Sequence, residues 1–539
     1  MRYTKHFSTK RTHQSKKIPG SKQTKNSAGG FAFGVDDWTR LDRFLILGSE
    51  GGSYYATERG LTVDSAEAVQ RCINADGKRV VERVVEISKA GRAAKNDPAI
   101  FVLAMAAKLG DAETRKLALE AVPSVCRIGT HLMHFADFAE GFGGWGRGMR
   151  RAVAGWYNDK PAHKLAYQLV KYQARDGWSN RDLLRLSHPK APTGAHDQLY
   201  RWVTQGELAS DPKPALQLVS AFEAAKRVEK PGSIVRLIQE YGLPREAIPS
   251  KFLTNERVWN ALLAKMPMTA MIRNLATMTR VGLLAPMSSA TKLVVDRLGD
   301  TDRLRKARVH PVALLAALMT YKMGRGIRGK HTWKPVATIV DALDAAFYAA
   351  FDHVEPTGKR MLLGLDVSGS MGWGAIAGIP SLTPRVASAA MALVTAATEK
   401  DHGFVAFTGG DWGKSARKAS RALTELSISP RQRLDDVIQT VSGLPMGPTD
   451  CALPMRWALE RKVCVDAFVI YTDSETWYGD IHPVQALDDY RQKTGIPAKL
   501  VVVGMVSNGF SIADPDDGGM LDVVGFDTRT PPVISDFVR

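Results

Sequence analysis

Cysteine is scarce. Four thiols, Cys72, Cys126, Cys451 and Cys464, are scattered through 539 residues, and no two of them make a C-x-x-C pair. This argues against a disulfide-stapled fold; the thiols read as reduced and mostly buried, which favours a cytoplasmic location. No apolar run approaches the ~18 residues of a membrane span, and the N-terminus lacks the apolar core of a secretory signal, so no membrane partner is expected. Catalytic signatures are missing too: there is no Walker P-loop, no G-x-S-x-G and no H-E-x-x-H. "GFGGWGRG" holds Gly141-x-Gly143-x-x-Gly146, but a helical pattern precedes it rather than a strand. It reads as a helix–helix turn, not a dinucleotide fingerprint. His131 and His134 in "HLMH" can share a helix face, yet no third or fourth ligand lies nearby. They read as structural histidines. The chain is not expected to be an enzyme.

Positive charge is plentiful and unevenly placed. Lys and Arg number 73 against 55 Asp and Glu, a net of +18. Residues 359–539 hold 18 basic and 21 acidic residues, a net of −3, so residues 1–358 hold 55 and 34, a net of +21. A domain so charged raises the local concentration of polyanions. The first thirty residues carry eight cations and no acidic residue, among Ser, Thr, Gln and Gly. Residues 1–27 therefore read as a basic flexible arm.

Two architectures follow one another. From Asp36 to Phe351 the pattern is helical. In "NDPAIFVLAMAAKLG", Asp97 is the expected N-cap, Pro98 opens the helix and Gly110 stops it. Comparable segments recur after short connections, among them "KPAHKLAYQLVKYQAR", "MTAMIRNLATMTRVGLL" and "HPVALLAALMTYKMG". No strict repeat is visible, but many short helices with tight turns suit an antiparallel helical-repeat solenoid of HEAT type, with a helical bundle as the alternative. From residue 359 the pattern changes. "RMLLGLDV", "HGFVAF", "DAFVIYT", "KLVVVGM" and "LDVVGF" are short β-branched runs, mostly separated by helical stretches. That is the pattern of buried parallel strands in a doubly wound α/β sheet. The expected division is 1–27, 28–358 and 359–539.

Within the helical part, "KYQARDGWSNRDLLRLSHPK" concentrates five Lys or Arg, a His and a Trp. Ser179 and Asp182 fit a capping-box start for the helix "NRDLLRLS". Leu183, Leu184 and Leu186 should face the core, and Arg181 and Arg185 should share a solvent face. Lys171 and Arg175 should share a face of the preceding helix, with Trp178 in the turn and His188 and Lys190 beside Pro189. Arg147, Arg150 and Arg151 precede them by one helical repeat. A solvated face and an RNA contact both account for such a stretch; the +21 background favours RNA.

In the α/β part, Asp366, Ser368 and Ser370 in "LLGLDVSGSM" fall where the first strand should end. Thr449 in "GPTDCALP" and Asp473 in "VIYTDSE" fall at other strand ends or loops. A set of oxygen donors of this kind suits a divalent metal, Mg²⁺ above all. It resembles the metal-ion-dependent adhesion site of von Willebrand factor A domains. That likeness implies that the two Ser and the Thr hydroxyls contact the metal, that the Asp residues act largely through water, and that a partner's carboxylate takes the open position.

"NSAGGFAF", "DRFLILGSEGGSYYATERGL", "KYQARDGWSNRDLLRLSHPK", "MIRNLATMTRVGLL", "RVHPVALLAALMTYKMGRGIRGKHTW" and "LDVSGSM" together resemble the Ro autoantigen family, which joins a TROVE module to a von Willebrand A domain. The likeness runs from about Asn26 to near the C-terminus. It implies an all-α HEAT-like helical-repeat ring closed by an α/β doubly wound A domain. It also implies small noncoding Y RNA bound on the outer surface, and single-stranded 3′ ends of misfolded structured RNAs taken into a central hole. The bacterial members it resembles are associated with an exoribonuclease, polynucleotide phosphorylase, within a ribonucleoprotein of one protein copy. Matched residue by residue, the Y RNA contacts fall on Lys171, Arg175 and His188, and are extended to Arg185, Lys190, Arg147 and Arg150. Lys322, Arg325, Arg328 and Lys330 in "KMGRGIRGK" are candidates for the hole or its rim, on charge alone. The rival readings are a metal-dependent protein-interaction scaffold acting through the A domain, and an RNA-processing enzyme that lacks a catalytic constellation.

Overall fold

The computed structural model describes residues 11–208, 216–326, 330–351, 355–376, 379, 382–409, 422–429 and 432–539. Among these, seventeen α-helices run from Asp37–Leu47 to Ala337–Ala349. Local chemistry sets their ends. Gly91, Gly206, Gly242 and Gly324 each stop a helix in the left-handed region, where a Cβ would be strained. The long element Glu58–Ala90 breaks at Asp76 (φ −158°), whose carboxylate accepts the Arg79 amide at 2.9 Å and so restarts the helix. The helix expected to be capped by Asp97 instead begins at Asp97. Asn96 occupies the cap without a side-chain capping bond; its amide donates to the Val125 carbonyl at 2.9 Å. No helix among the described residues is long and apolar enough to cross a membrane.

The helical region returns on itself. His310, at the start of helix Pro311–Met323, meets the Arg92 carbonyl with its Nε2 at 3.0 Å. Residues from Ile87 to Tyr321, with Ile379 of the C-terminal domain, line a common cavity of about 690 Å³. The C-terminal domain touches both ends of this path. At the early end Arg43 is buried and donates to Asn508, to the Phe510 carbonyl and to both oxygens of Asp522, all within 3.0 Å. At the late end Arg433 pairs with Asp341 at 2.5 Å and the Leu434 amide donates to Asp344 at 3.1 Å.

In chain order the strands are β1 (Gln23–Lys25), β2 (Phe31–Gly34), β3 (Ala174–Arg175), β4 (Trp178–Ser179), β5 (Met361–Asp366), β6 (His402–Phe407), β7 (Leu423–Leu426), β8 (Ala467–Thr472), β9 (Lys499–Gly504), β10 (Phe510–Ser511) and β11 (Met520–Val524). The main sheet has the order β11-β9-β8-β5-β6-β7. It is parallel except for β7, an antiparallel edge on β6. The five apolar runs seen in the sequence are its five parallel strands. Side chains alternate between two cores: Leu363, Val469 and Tyr471 face helices Pro384–Thr398 and Leu434–Ser442, while Leu362, Phe468 and Ile470 face Leu453–Arg461 and Pro483–Thr494. Helices cover both faces, which makes the sheet doubly wound.

Residues 11–27 are not a loose arm. Gln14 is fully buried in the C-terminal domain; its amide nitrogen donates to Asp450 at 2.7 Å and to the Ile481 carbonyl at 2.8 Å. The Gln23 amide meets His482 at 3.0 Å, and β2 pairs with β1 on one side and β10 on the other in a three-stranded sheet. The reason is charge and hydrogen bonding together: Arg11 pairs with Asp489 and Lys22 with Asp516 on the acidic domain. The polar composition that looked disordered supplies a strap. The structure therefore has no boundary at residue 27, and residues 1–10 lie outside the described part of the chain.

Candidate metal centre and RNA surface

β5 has β8 on one side and β6 on the other, so the chain departs from it in both directions. Such a switch point leaves a crevice at the strands' carboxyl ends. Asp366 ends β5 there. Ser368 and Ser370 lie in the following loop, Asp473 follows β8, and Thr449 precedes helix Leu453–Arg461. All five are buried, between 0% and 6% exposed. Hydrogen bonds link the surroundings of Asp366, Ser368, Ser370 and Asp473, and a backbone bond brings the Thr449 loop alongside. One Asp366 oxygen accepts the Ser368 amide at 2.9 Å and the other the Thr472 hydroxyl at 2.7 Å. The Ser368 and Ser370 hydroxyls are 3.2 Å apart, and Ser370 reaches Asp473. The Gly369 amide donates to the Gly447 carbonyl at 3.3 Å and joins the serine loop to the threonine loop. The buried Arg385 guanidinium donates to the carbonyls of Val367, Ser368 and Leu444 and fixes the same two loops from behind.

The electrostatics suit a cation. Burial raises the Asp366 carboxyl. Burial, then the charges of Asp366 and Glu475, push Asp473 up to about 8. Glu475 is also raised by burial, although the Ala28 amide donates to it at 3.1 Å. A divalent ion bound here would relieve the repulsion that Asp366 and Glu475 exert on Asp473. Among the described residues no three His, Cys, Asp or Glu side chains gather as a ligand cage.

The sequence reading missed Glu475 and Tyr55. Glu475 had a signal, a second carboxylate two residues beyond Asp473. Tyr55 had none, because it comes from the helical domain, where its hydroxyl reaches Ser370.

The basic stretch folds differently from expectation. Helix Ala162–Lys171 stops at Lys171, and β3 and β4 form a hairpin closed by Asp176 and Gly177, at φ +52° and +79°. A two-residue Asp-Gly loop with positive φ at both positions is the favoured hairpin turn. Lys171 and Arg175 therefore share no helix face. Lys171 is half-buried, its ammonium 5.6 Å from the Tyr167 ring and 5.5 Å from the Tyr172 ring. Arg175 is exposed on the hairpin, 3.2 Å from Asp176. The capping box of Ser179 and Asp182 forms as expected, with Leu183 and Leu184 buried and Arg181 and Arg185 exposed. His188 is exposed at the helix end (φ +46°), next to exposed Lys190.

Packing joins these pieces into one face. Trp178 lies 5.6 Å from Trp145, which precedes the exposed Arg147 and Arg150. The Tyr157 hydroxyl donates to Asn180 at 2.9 Å, and the Asn158 amide donates to the Lys190 carbonyl at 3.1 Å. Among the described residues Arg147, Arg150, Arg185, His188 and Lys190 make no ion pair with a carboxylate.

The second candidate group is dispersed. Lys322 sits in the last turn of helix Pro311–Met323 and pairs with Asp435 of the C-terminal domain, which neutralises it. Arg325 is exposed and bridges to Thr332 through the backbone, Lys330 is exposed, and Arg328 lies outside the described residues. The cavity presents other cations: Arg127, Arg273 and Arg308, with His131, His310 and Tyr172. Burial and the nearby Arg308 lower Arg127, which donates to Ser88 Oγ at 2.8 Å. These arginines belong to separate segments, so no local run of charge announced them.

Comparison with known proteins agrees with this organisation. The TROVE domain model matches residues 24–320 and the Ro60 vWA domain model matches residues 360–538. A Deinococcus radiodurans relative named RNA-binding protein RO60 is 42% identical over 520 residues, 96% of each chain. A Caenorhabditis elegans relative of the same name is 37% identical over 594 residues, 96% of this chain and 90% of that one. The crystal structure of the Deinococcus radiodurans RO (RSR) protein superimposes with a TM-score of 0.71 at 42% identity, covering 94% of this chain and 99% of that one.

Proposed function

Because this chain belongs to the Ro family, with a TROVE domain joined to a Ro60-type A domain, we propose that it is a non-enzymatic RNA-binding scaffold for noncoding RNA quality control. Small noncoding Y RNA binds the outer face through Lys171, Arg175 and His188, extended by Arg185, Lys190, Arg147 and Arg150. The single-stranded 3′ end of a misfolded RNA enters the cavity and meets Arg127, Arg273 and Arg308. An exoribonuclease, polynucleotide phosphorylase, is the proposed partner in decay, in the cytoplasm, with one copy of the protein in the particle. The carrying observation is an outer face on which Arg147, Arg150, Arg185, His188 and Lys190 are exposed without a carboxylate partner, beside an arginine-lined cavity inside a closed helical path. Exposed cations bind phosphates with little sequence preference, and a lined cavity admits a strand but not a duplex.

The A-domain site is proposed to hold Mg²⁺ through Ser368, Ser370 and Thr449, with Asp366 and Asp473 acting through water. The bound cation supplies positive charge that a carboxylate can meet. One observation favours a second role in protein contact: Trp373 and Met446, both largely exposed, border the serine loop.

The test compares one structured RNA with and without a 3′ tail of about ten nucleotides. The tailed form should bind at least tenfold more tightly. Lys171→Ala with Arg175→Ala should weaken Y RNA binding about 10- to 100-fold and spare the tailed RNA. Equal affinity for tailed and blunt RNA would end the threading reading; an unchanged Y RNA gel shift would return the outer face to plain solvation.

A further inference from the structure

The segment "GSEGGSYYAT" leaves helix Asp37–Leu47 and forms a loop that faces the other domain. Its fold is closely determined. The Gly52 amide donates to the Ser49 carbonyl at 3.1 Å, the Ser53 amide to the Ala56 carbonyl at 2.8 Å, and the Gly51 amide to Glu58 at 3.0 Å. The Ser49 and Thr62 hydroxyls are 2.7 Å apart. Gly51 and Gly52 lie at φ +85° and +63°, where a side chain is strained. Close approach also requires them. A Cβ at Gly51 would lie 2.9 Å from the Cβ of Ala375, and one at Gly374 would lie 3.1 Å from the Gly52 carbonyl oxygen. The loop is pressed onto residues 374–375, directly after the serine loop of the metal site.

Its tip carries Tyr54 and Tyr55. Tyr54 is exposed and stacks edge-on with Tyr55 at 4.9 Å and with Trp373 at 6.3 Å. Tyr55 is half-buried. Its hydroxyl reaches the Ser370 hydroxyl and lies in the field of Asp473, Glu475 and Asp366. The ring packs on Tyr54, while the polar end points at the carboxylates of Asp366, Asp473 and Glu475. A phenol oxygen is also a hard donor of the kind that a Mg²⁺-class ion accepts.

We propose that Tyr55 closes the metal site from the helical domain, its hydroxyl taking the outward position that a partner's carboxylate would otherwise fill. This rests on the reading of the A-domain site as a divalent-cation centre. The cation then joins the two domains: one set of donors comes from the A domain and the last from the helical path. Access for an outside carboxylate requires the 49–57 loop to lift.

The experiment uses the full chain, stripped of metal and titrated with Mn²⁺ by calorimetry, with hydrogen exchange followed across residues 49–57. Tyr55→Phe removes one oxygen and should leave the thermal midpoint of the metal-free protein unchanged. Its Mn²⁺ affinity should fall about tenfold. Mn²⁺ should slow exchange in the 49–57 loop of the wild type and not of the variant. Excess acetate should restore affinity to Tyr55→Phe and leave the wild type as it was. Gly51→Ala lifts the loop by steric contact with Ala375 and should lose affinity in the same way. A Tyr55→Phe protein that matches the wild type in Mn²⁺ affinity and loop protection overturns the proposal. Acetate that strengthens wild type and variant equally does so too, because the outward position is then open. A wild type that takes up no Mn²⁺ overturns the metal reading together with this one, so the two failures are distinct.

Discussion

His131 illustrates how position changes what a residue can do. The sequence offered it as half of a histidine pair; the structure sets it in the cavity wall, its Nδ1 buried without a partner. Burial, then the adjacent Arg127, lower it from 6.5 to about 4. It is neutral at pH 7 and adds no charge to the cavity. A folded-state value below the unfolded one means that the unfolded chain binds more protons between pH 6.5 and 4. Stability linked to His131 is therefore complete above about pH 6.5 and is lost as pH falls toward 4, by on the order of 3 kcal/mol. Urea unfolding of His131→Leu across that window should show a shallower pH dependence than the wild type. An unchanged slope would assign the effect to other groups, His310 and His482 first, which burial also lowers. Residues were legible where the chemistry is local. Asp366, Ser368 and Ser370 are adjacent in the chain, and the strand before them ends visibly. Arg127, Arg273 and Arg308 were not, because only tertiary closure brings them to one cavity.

The sequence extends the helix before the hairpin as far as Arg175, where the structure has β3, for an identifiable reason. Lys171 and Arg175 are four residues apart, which suggests a helical ladder, and the Asp176-Gly177 pair was passed over. That pair was the stronger signal, since it fixes two positive φ values where a helix needs none. Tertiary contacts hold the result: His134 meets Asp176 through Nδ1, and Trp178 packs on Trp145. Gly177→Val places a β-branched residue at φ +79°, at a cost of about 1–2 kcal/mol. The hairpin should loosen and Arg175 lose its position. Y RNA affinity should drop about tenfold with the tailed-RNA affinity preserved, both read by gel shift. Loss of both would show that the hairpin shapes the cavity as well, as its neighbour Tyr172 in the cavity wall would permit. The N-terminal strap is a second element that composition concealed. Its residues are those of a disordered tail, and its order comes from partners more than 400 positions away, such as Asp450 for Gln14.

On the scale of the whole molecule, the order of the two architectures and the five parallel strands were legible from apolar periodicity. Closure was not, because it depends on pairs such as Arg43 with Asp522. That pair is the strongest joint. The Arg43 side chain is 1% exposed, it donates to both Asp522 oxygens at 2.8 Å, and Ser511 holds the same carboxylate at 2.6 Å. The late joint is weaker: Arg433 and Lys322 are both substantially exposed, and pairs of that kind contribute at most about 1 kcal/mol. Truncating Arg43 leaves the part-buried Asp522 with Ser511 as its remaining donor and takes the Arg43 donor from two carbonyls, which costs on the order of 3 kcal/mol. Arg43→Ala should therefore release the helical path from the sheet edge. Calorimetry should then show two separated transitions in place of one. If closure is what refuses a duplex, the preference for tailed over blunt RNA should shrink toward unity in this variant, mainly because the blunt form binds better. Arg43 is buried and is not one of the proposed outer-face contacts, so the salt dependence of Y RNA binding should keep its slope. A variant that unfolds in two steps and still refuses blunt RNA would move the screen from the closed path to the cavity wall itself, where Arg127 and Arg308 stand.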